Sequence, residues 1–302
     1  MVIESFEQLR DKVQAAGRCK VVVIAAHDAH TLEAVLKTRE EGILDYILVG
    51  KEKEILEIGK SLGHEIDPAD VIDSQTDEDA VEKGIQLVRE GKADFIQKGL
   101  LQTSTLLKGV VDKEKGIRTG KAMSHVALLD VPTYHKILGV TDGGMMMYPD
   151  LAKKKDIAIN AVEMFRGFGY ERPKMAALCA VEVLNPKMQA TVDAAELQKM
   201  AEAGEIPNCD FAGPISMDLA MSKESAQIKG FDSPVTGEAD ILLVPSIDVG
   251  NIMVKSLLML GKARMAGCVV GAKCPIALNS RSATFPLEKI PLLRVYFSTR
   301  YL

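Results

Sequence analysis

Ser280 and Arg281 stand side by side just after Cys274-Pro275-Ile276-Ala277-Leu278-Asn279, whose apolar part reads as a buried strand. A guanidinium grips a phosphate through two parallel hydrogen bonds, and a neighbouring hydroxyl adds a third donor. An anion clamp at a strand end over a cleft is where an open α/β sheet carries its chemistry. In isolation, a capping Ser beside a surface Arg would read the same way. The pair gains weight from two loops upstream, each following an apolar run and each suited to phosphate.

The first of these is Lys98-Gly99-Leu100-Leu101-Gln102-Thr103-Ser104-Thr105. Hydroxyls cluster there where a strand hands over to a helix, so terminal amides and side chains can bind an oxyanion together. N-capping by Thr103 or Ser104 is the simpler reading of that loop alone. It is not a Walker A loop, because Gly-Lys-Ser/Thr is missing at the required spacing. The second loop is Pro245-Ser246-Ile247-Asp248-Val249-Gly250-Asn251, with Lys255 one helical turn on. Gly250 permits close backbone approach to a ligand, and Asn251 can pin a loop or cap a helix. A plain strand-to-helix turn followed by a solvated lysine accounts for the same residues.

Other constellations carry less. His27-Asp28 follows the first strand, but neighbours in sequence point apart, so loop hydrogen bonding explains them better than a catalytic pair. His125 beside Ser124 has no Gly-x-Ser-x-Gly elbow, which argues against a serine hydrolase. Met145-Met146-Met147 reads as adaptable packing, suited to an acyl group. No His-x-x-x-His or paired-Asp spacing supports a metal site. Gly-x-Gly-x-x-Gly is also missing, so a nicotinamide-binding Rossmann reading fails on its main fingerprint.

The whole chain must position these loops. Its 302 residues suggest about two domains. With 47% hydrophobic and 26% charged residues it has the composition of a globular protein with large cores. A net charge of −5, no Trp and 5% aromatic residues argue against a nucleic-acid or anionic-membrane partner. Five cysteines without a Cys-x-x-Cys pair, and a start lacking a signal-like apolar core, point to a reducing cytoplasm and no disulfide framework.

Strands and helices alternate. Val21-Val22-Val23-Ile24-Ala25-Ala26 reads as a strand buried on both faces, and helices follow from Thr31 to Arg39 and from Glu52 to Leu62. Tyr46–Val49 and Asp94–Gln97 are strands, and Ala80–Arg89 is helical. The rhythm repeats downstream, with helices Ile157–Phe165, Ala194–Ala203 and Ile252–Leu260 and strands Met175–Cys179, Ile241–Val244 and Gly267–Gly271. This is a two-domain α/β chain with mostly parallel sheets and helices on both faces. The Gly- and Pro-bearing stretch between Val131 and Pro149 marks the expected domain break.

Taken in order, these motifs resemble the phosphate acyltransferase family, and most closely its phosphate butyryltransferase branch. The resemblance begins with Ala25-Ala26-His27-Asp28, Lys98-Gly99 with Thr103 and Thr105, Gly116-Ile117-Arg118-Thr119-Gly120, Ser124-His125-Val126 and Thr141-Asp142. It continues through Pro149-Asp150-Leu151, Ala190-Thr191-Val192-Asp193-Ala194, Gly213-Pro214, Lys229-Gly230 with Ser233, and Gly237-Glu238-Ala239-Asp240. Val244-Pro245 through Gly250-Asn251 and Lys255, followed by Ser280-Arg281, is its strongest part. The series spans roughly residues 18 to 284.

The resemblance implies an architecture like that of isocitrate and isopropylmalate dehydrogenases, with residues 1–135 and 276–302 in a first domain and 136–275 in a second. It implies an interdomain active site, a homo-oligomer, and the reaction of butyryl-CoA with phosphate to give butyryl phosphate and CoA. Coenzyme A enters as a thioester substrate; no cofactor, metal, nucleic acid or membrane is implied. By the same resemblance Ser280 and Arg281 are catalytic, and they bind phosphate with Thr103, Ser104 and Thr105. Asp248, Gly250, Asn251 and Lys255 are then expected to bind CoA. Related acetyltransferases assign the thiol base to an Asp a few residues after Ser-Arg; here Leu287 falls near that spacing, with Glu288 beside it as the candidate.

The tail departs from the family, which continues into an amphipathic helix where this chain has Pro286 and Pro291. Met146 stands where the butyryltransferase branch commonly has Asn. Two other classes stay open at this point. One is a non-catalytic binder of CoA or an acyl metabolite; the other is a metal- and NAD-dependent dehydrogenase on the same architecture.

Overall fold

The computed structural model describes residues 2–278, which divide into two compact units. Of the described residues, one unit holds Glu7–Lys121 and those from Gly267 on; the other holds those up to Phe6 and Ala122–Ala266. In chain order the elements are α1 (Phe6–Ala15), β1 (Cys19–Ile24), α2 (Ala29–Glu40), β2 (Leu44–Gly50), α3 (Glu52–Ser61), β3 (Val71–Asp73), α4 (Asp77–Arg89), β4 (Phe95–Lys98) and α5 (Thr103–Val110). They continue with β5 (Ser124–Asp130), β6 (Leu138–Thr141), α6 (Leu151–Gly167), β7 (Lys174–Leu178), α7 (Gln189–Glu202), β8 (Asp210–Ile215), α8 (Met217–Met221) and α9 (Lys223–Lys229). Then come β9 (Ile241–Leu243), α10 (Ile247–Met259), β10 (Arg264–Val270) and β11 (Ile276–Ala277).

In the Glu7–Lys121 unit the strands lie in the order β3-β2-β1-β4-β11-β10. All neighbours are parallel except β10, which runs antiparallel to β11. Val21, Val22, Val23 and Ile24 of β1 are fully buried between flanking helices, so the strand is a continuous apolar run rather than an alternating one. Each such side chain contributes about 1.5–3 kcal/mol of burial. The sequence supplies the helix starts as well. Asp28 caps α2 by accepting from the Thr31 amide at 3.0 Å, and Thr76 caps α4 by accepting from the Asp79 amide at 3.2 Å.

In the Ala122–Ala266 unit the order is β5-β6-β9-β7-β8. Here β6, β9, β7 and β8 are parallel and β5 is antiparallel to β6. The expectation of mostly parallel sheets therefore fits the inner strands but not β5 or β10. The reason is link length. Residues 131–137 and 271–275 are too few for the crossover that a parallel pair needs, so each reverses the chain directly.

Phe165, Phe168 and Tyr170 pack as tilted rings 5.3–5.7 Å apart behind this sheet. Lys136, with its ammonium 2.8 Å from the Asp240 carboxylate, ties the start of β6 to the start of β9. No helix among the described residues is long and apolar enough to cross a membrane.

Candidate active site

In a parallel sheet the loops leaving the strand C-termini gather at one edge, where ligands bind. In the Glu7–Lys121 unit that edge is built from the ends of β1, β4 and β11. The β4–α5 loop is stitched to the β1–α2 loop by Gly99 N–H to the Ile24 carbonyl at 2.8 Å and Leu100 N–H to the Ala25 carbonyl at 2.9 Å. Ala25 adopts a left-handed backbone, with φ of 58°, at this crossing. The half-buried Lys98 ammonium donates to the carbonyls of Gly99 at 3.1 Å and Leu101 at 2.7 Å, which fixes a positive charge beside the loop.

Thr103, Ser104 and Thr105 form the first turn of α5, and the N-cap position falls to Gln102, which makes no side-chain capping bond. Neither Thr103 nor Ser104 caps the helix. Among the described residues no capping side chain accepts from the leading amides, the arrangement that attracts an anion. Ser104 and Thr105 also line a cavity of about 380 Å³ whose walls include Glu78, Glu82, Asp112, Lys108 and Lys115. Three carboxylates disfavour an anion inside that cavity, so the amide end of α5 is the better anion position.

β11 enters beside β4 with Ile276 opposite Ile96 and Ala277 opposite Gln97, and therefore ends at the same edge. The Gly116–Gly120 motif steers the chain into it. Lys273 N–H reaches the Ile117 carbonyl at 2.8 Å, and the Thr119 hydroxyl donates to the Gly271 carbonyl at 2.5 Å. Ser280, Arg281 and Glu288, the residues expected to be catalytic, lie outside the described residues.

In the Ala122–Ala266 unit the equivalent edge is organised by Asp142, which sequence reading left as one member of a motif. Its buried carboxylate accepts four backbone N–H groups: His125 at 3.0 Å, Gly144 and Met145 each at 2.8 Å, and Met146 at 3.1 Å. The turn so formed presents the Gly143 carbonyl to the Asn251 side-chain amide at 3.3 Å, and the Met147 carbonyl to the Ile247 N–H at 3.0 Å. The signal was available in Thr141-Asp142-Gly143-Gly144, since an Asp ahead of two glycines is the usual way to hold a tight turn.

Asp248, Gly250 and Asn251 belong to the first turns of α10 rather than to the loop before it. Gly250 makes its close approach to Gly143, where a β-carbon on Gly250 would stand 2.6 Å from the Gly143 Cα. Asp248 accepts the Tyr148 hydroxyl at 2.7 Å, a bond that raises the phenol above its usual range. Lys255 is exposed one turn along the same helix. Asp248, Gly250, Asn251 and Lys255 thus share α10, whereas Thr103, Ser104 and Thr105 share α5 in the other unit.

Polar groups near the ends of β7 and β8 are paired. Lys154 and Asp193 form a buried ion pair at 2.6 Å, and Gln189 donates to the other Asp193 oxygen at 2.7 Å. Lys229 bridges Glu182 at 2.6 Å and Asp218 at 3.0 Å, with the Ser216 hydroxyl contacting both carboxylates. Hydrogen bonds from Lys229 and Ser216 hold Glu182 below the usual carboxylate range, and bonds from Ser216 and Lys229 do the same for Asp218. Burial pushes the Cys179 thiol up to about 11, which makes it a packing group and not a nucleophile.

Comparison with known proteins gives these loops a context. A family model described as Phosphate acetyl/butaryl transferase matches residues 74–287. Phosphate butyryltransferase of Clostridium acetobutylicum is 41% identical over 281 residues, covering 93% of each chain. Phosphate acetyltransferase of Thermotoga maritima is 38% identical over 276 residues, covering 91% of this chain and 93% of that protein. Among solved structures, a branched-chain phosphotransacylase from Enterococcus faecalis V583 superposes with a TM-score of 0.79 at 31% identity, covering 92% of this chain and 99% of that one.

Proposed function

This chain belongs to the phosphate acetyl/butaryl transferase family, and on that premise we propose that it exchanges a short acyl group between coenzyme A and inorganic phosphate. The observation that carries the reading is the α5 N-terminus. Among the described residues its leading amides have no side-chain cap, the Lys98 ammonium is fixed beside the loop that leads to them, and β11 ends at the same edge before the chain continues to Ser280 and Arg281.

In the acyl-phosphate-forming direction a phosphate oxygen attacks the thioester carbonyl carbon and the CoA sulfur leaves. Arg281 neutralises the phosphate and holds it in line, while Ser280 hydrogen-bonds the developing charge. Thr103 and the first-turn amides of α5, with Ser104 and Thr105, complete the phosphate cradle. Asp248, Gly250, Asn251 and Lys255 make α10 the CoA-binding helix, with Lys255 as its cation. Butyryl-CoA is our choice of substrate, because the C. acetobutylicum relative is a phosphate butyryltransferase. The three relatives carry butyryl, acetyl and branched-chain names at 41%, 38% and 31% identity, and each methylene is worth only about 1–3 kcal/mol of discrimination.

We read the protein as a cytoplasmic homo-oligomer with the two-domain layout of the isocitrate dehydrogenases. The outer face of α10 supports self-association. Ile252, Met259 and the adjoining Leu260 are 66%, 80% and 84% exposed, while Met253, Val254, Leu257 and Leu258 pack inward.

The test is release of CoA thiol from acetyl-, butyryl- and branched acyl-CoA with and without phosphate, repeated with Arg281→Ala. Phosphate-dependent release is expected, greatest with butyryl-CoA, and Arg281→Ala should lower kcat/KM for phosphate by at least about 100-fold. Absence of phosphate-dependent release would overturn the reading.

A further inference from the structure

We infer that Gln97 is a positioning residue for the Ser280–Arg281 clamp: its side-chain amide ends the β4–β11 ladder and so sets where the chain leaves the sheet. The inference rests on the acyl-transfer reading above, with Ser280 and Arg281 as its reacting pair.

Gln97 departs from the rule that fills the rest of its strand. It is fully buried, as are the apolar Phe95 and Ile96 before it in β4. Its register partners are Val23 of β1 and Ala277 of β11, both buried and neither with a polar side-chain atom to offer. The Gln97 amide nitrogen donates to the Lys98 carbonyl at 2.9 Å. The amide oxygen is buried with no hydrogen-bond partner among the described residues. An unsatisfied buried acceptor costs stability, whereas an apolar side chain of the same shape would not. A sequence breaks a local rule in this way where something other than stability is served.

The place of the amide says what that is. Along a strand, backbone groups point alternately to the two neighbouring strands. The Gly99 N–H reaches the Ile24 carbonyl on the side of β1, whereas the Ile96 N–H reaches the Pro275 carbonyl at 3.1 Å on the side of β11. Lys98 has the parity of Ile96, so its carbonyl also faces the side of β11. A further rung, with Leu278 opposite Lys98, would use that oxygen for the next N–H of the incoming chain, that of Asn279. The Gln97 amide nitrogen already occupies it. β11 accordingly stops at Ala277, and Leu278 stands outside the strand. Ser280 comes three residues after Ala277, so the stop fixes the start of the short span that carries the clamp.

The unmatched oxygen has a use in the same scheme. It lies at the end of the stopped seam, where it accepts from a donor of the chain beyond Leu278. That bond would tie the clamp's approach to the edge where Lys98 and the first turn of α5 stand. Alignment is what such a bond supplies, and a displacement of about 1 Å in a reacting group costs about 100-fold in rate.

The experiment is a double-mutant cycle of Gln97→Met and Arg281→Ala, read as kcat/KM for phosphate in butyryl-CoA cleavage, with thermal unfolding of each protein. Methionine is close to glutamine in length and lacks the amide. Gln97→Met alone should lower kcat/KM for phosphate about 10–100-fold, with KM for butyryl-CoA changed less than about twofold. Its Tm should stay within about 3 °C of the unaltered protein or rise. In the Arg281→Ala background the same change should cost less than about twofold, because no guanidinium is left to place. Equal losses in the two backgrounds would overturn the inference, as would an unchanged kcat/KM in Gln97→Met. A larger fall in Tm would also overturn it, since Gln97 would then serve the fold. If the unaltered protein shows no phosphate-dependent cleavage, the acyl-transfer reading itself fails and takes this inference with it. Turnover with an uncoupled cycle removes this inference alone.

Discussion

Gly143 and Gly250 meet backbone to backbone: a β-carbon built on Gly143 would come 2.7 Å from the Gly250 carbonyl carbon, and one on Gly250 would come 2.6 Å from the Gly143 Cα. Both contacts are with main chain, which cannot rotate aside. This junction sets where α10 begins relative to the turn held by Asp142. Gly250→Ala should therefore cost about 1–3 kcal/mol through overpacking. Urea unfolding measures that cost, and KM for CoA should rise in the same variant. An unchanged unfolding midpoint would show that the junction yields easily.

Asp142 is expected to matter through position. In Asp142→Asn one oxygen becomes an N–H donor facing N–H donors, so part of the four-amide set loses its acceptor. The loss should be about 2–5 kcal/mol, since each buried unsatisfied amide costs about 1–3 kcal/mol. Calorimetric unfolding gives the stability. Steady-state kinetics should show a larger rise in KM for CoA than for phosphate, because the turn holds Asn251.

Glu238 supplies a pH prediction. A hydrogen bond from Lys223, followed by the charge of Lys136, holds its carboxyl down at about 2, against an ordinary 4.5. A depressed carboxylate stabilises the fold fully above the unfolded-state value and ceases to do so as pH falls through the folded-state value. The contribution is thus complete above about pH 4.5 and disappears toward pH 2. Glu238→Gln should be less stable by about 1–3 kcal/mol at neutral pH. It should also lose less additional stability between pH 4.5 and 2 than the unaltered protein, as followed by urea unfolding across that window.

The exposed face of α10 predicts concentration-dependent association. Ile252→Glu combined with Met259→Glu should shift the molecular mass in light scattering toward that of a single chain and leave helix content unchanged. A mass unaffected by both changes would remove this face from the interface.

Much of this fold is legible in the residues. The expected strand Val21–Ala26 is buried on both faces through Ile24, where β1 ends before Ala25 turns left-handed, and the Asp28 and Thr76 caps start α2 and α4 ahead of the expected Thr31 and Ala80. β8 was hidden because Gly213-Pro214, which reads as a turn, lies inside the strand. β5 and β6 were missed because their link carries the Pro that suggested a break, although Val126–Leu129 is apolar throughout. Gly250 and Asn251 suggested a loop; α10 nevertheless starts at Ile247, because the glycine is needed for a close approach within the helix. At the candidate site, hydroxyls and glycines announce themselves by type. Asp142 ahead of Gly143-Gly144 signals a tight turn, but the gathering of four amides, the distant His125 N–H among them, depends on the turn closing around the carboxylate.

β11 is only two residues long, yet it is gripped on both sides, by β4 in parallel and by β10 in antiparallel register. It behaves as a wedge and not as a fringe. Cutting the chain after Leu278 leaves both pairings of β11 in the chain and removes Ser280 and Arg281, so it should abolish catalysis. Cutting it before Ile276 would leave β4 and β10 facing an open slot, with Ile96 and Cys268 stripped of their partners. The same few residues would then decide both whether the unit holds together and whether the clamp has anything to hang from.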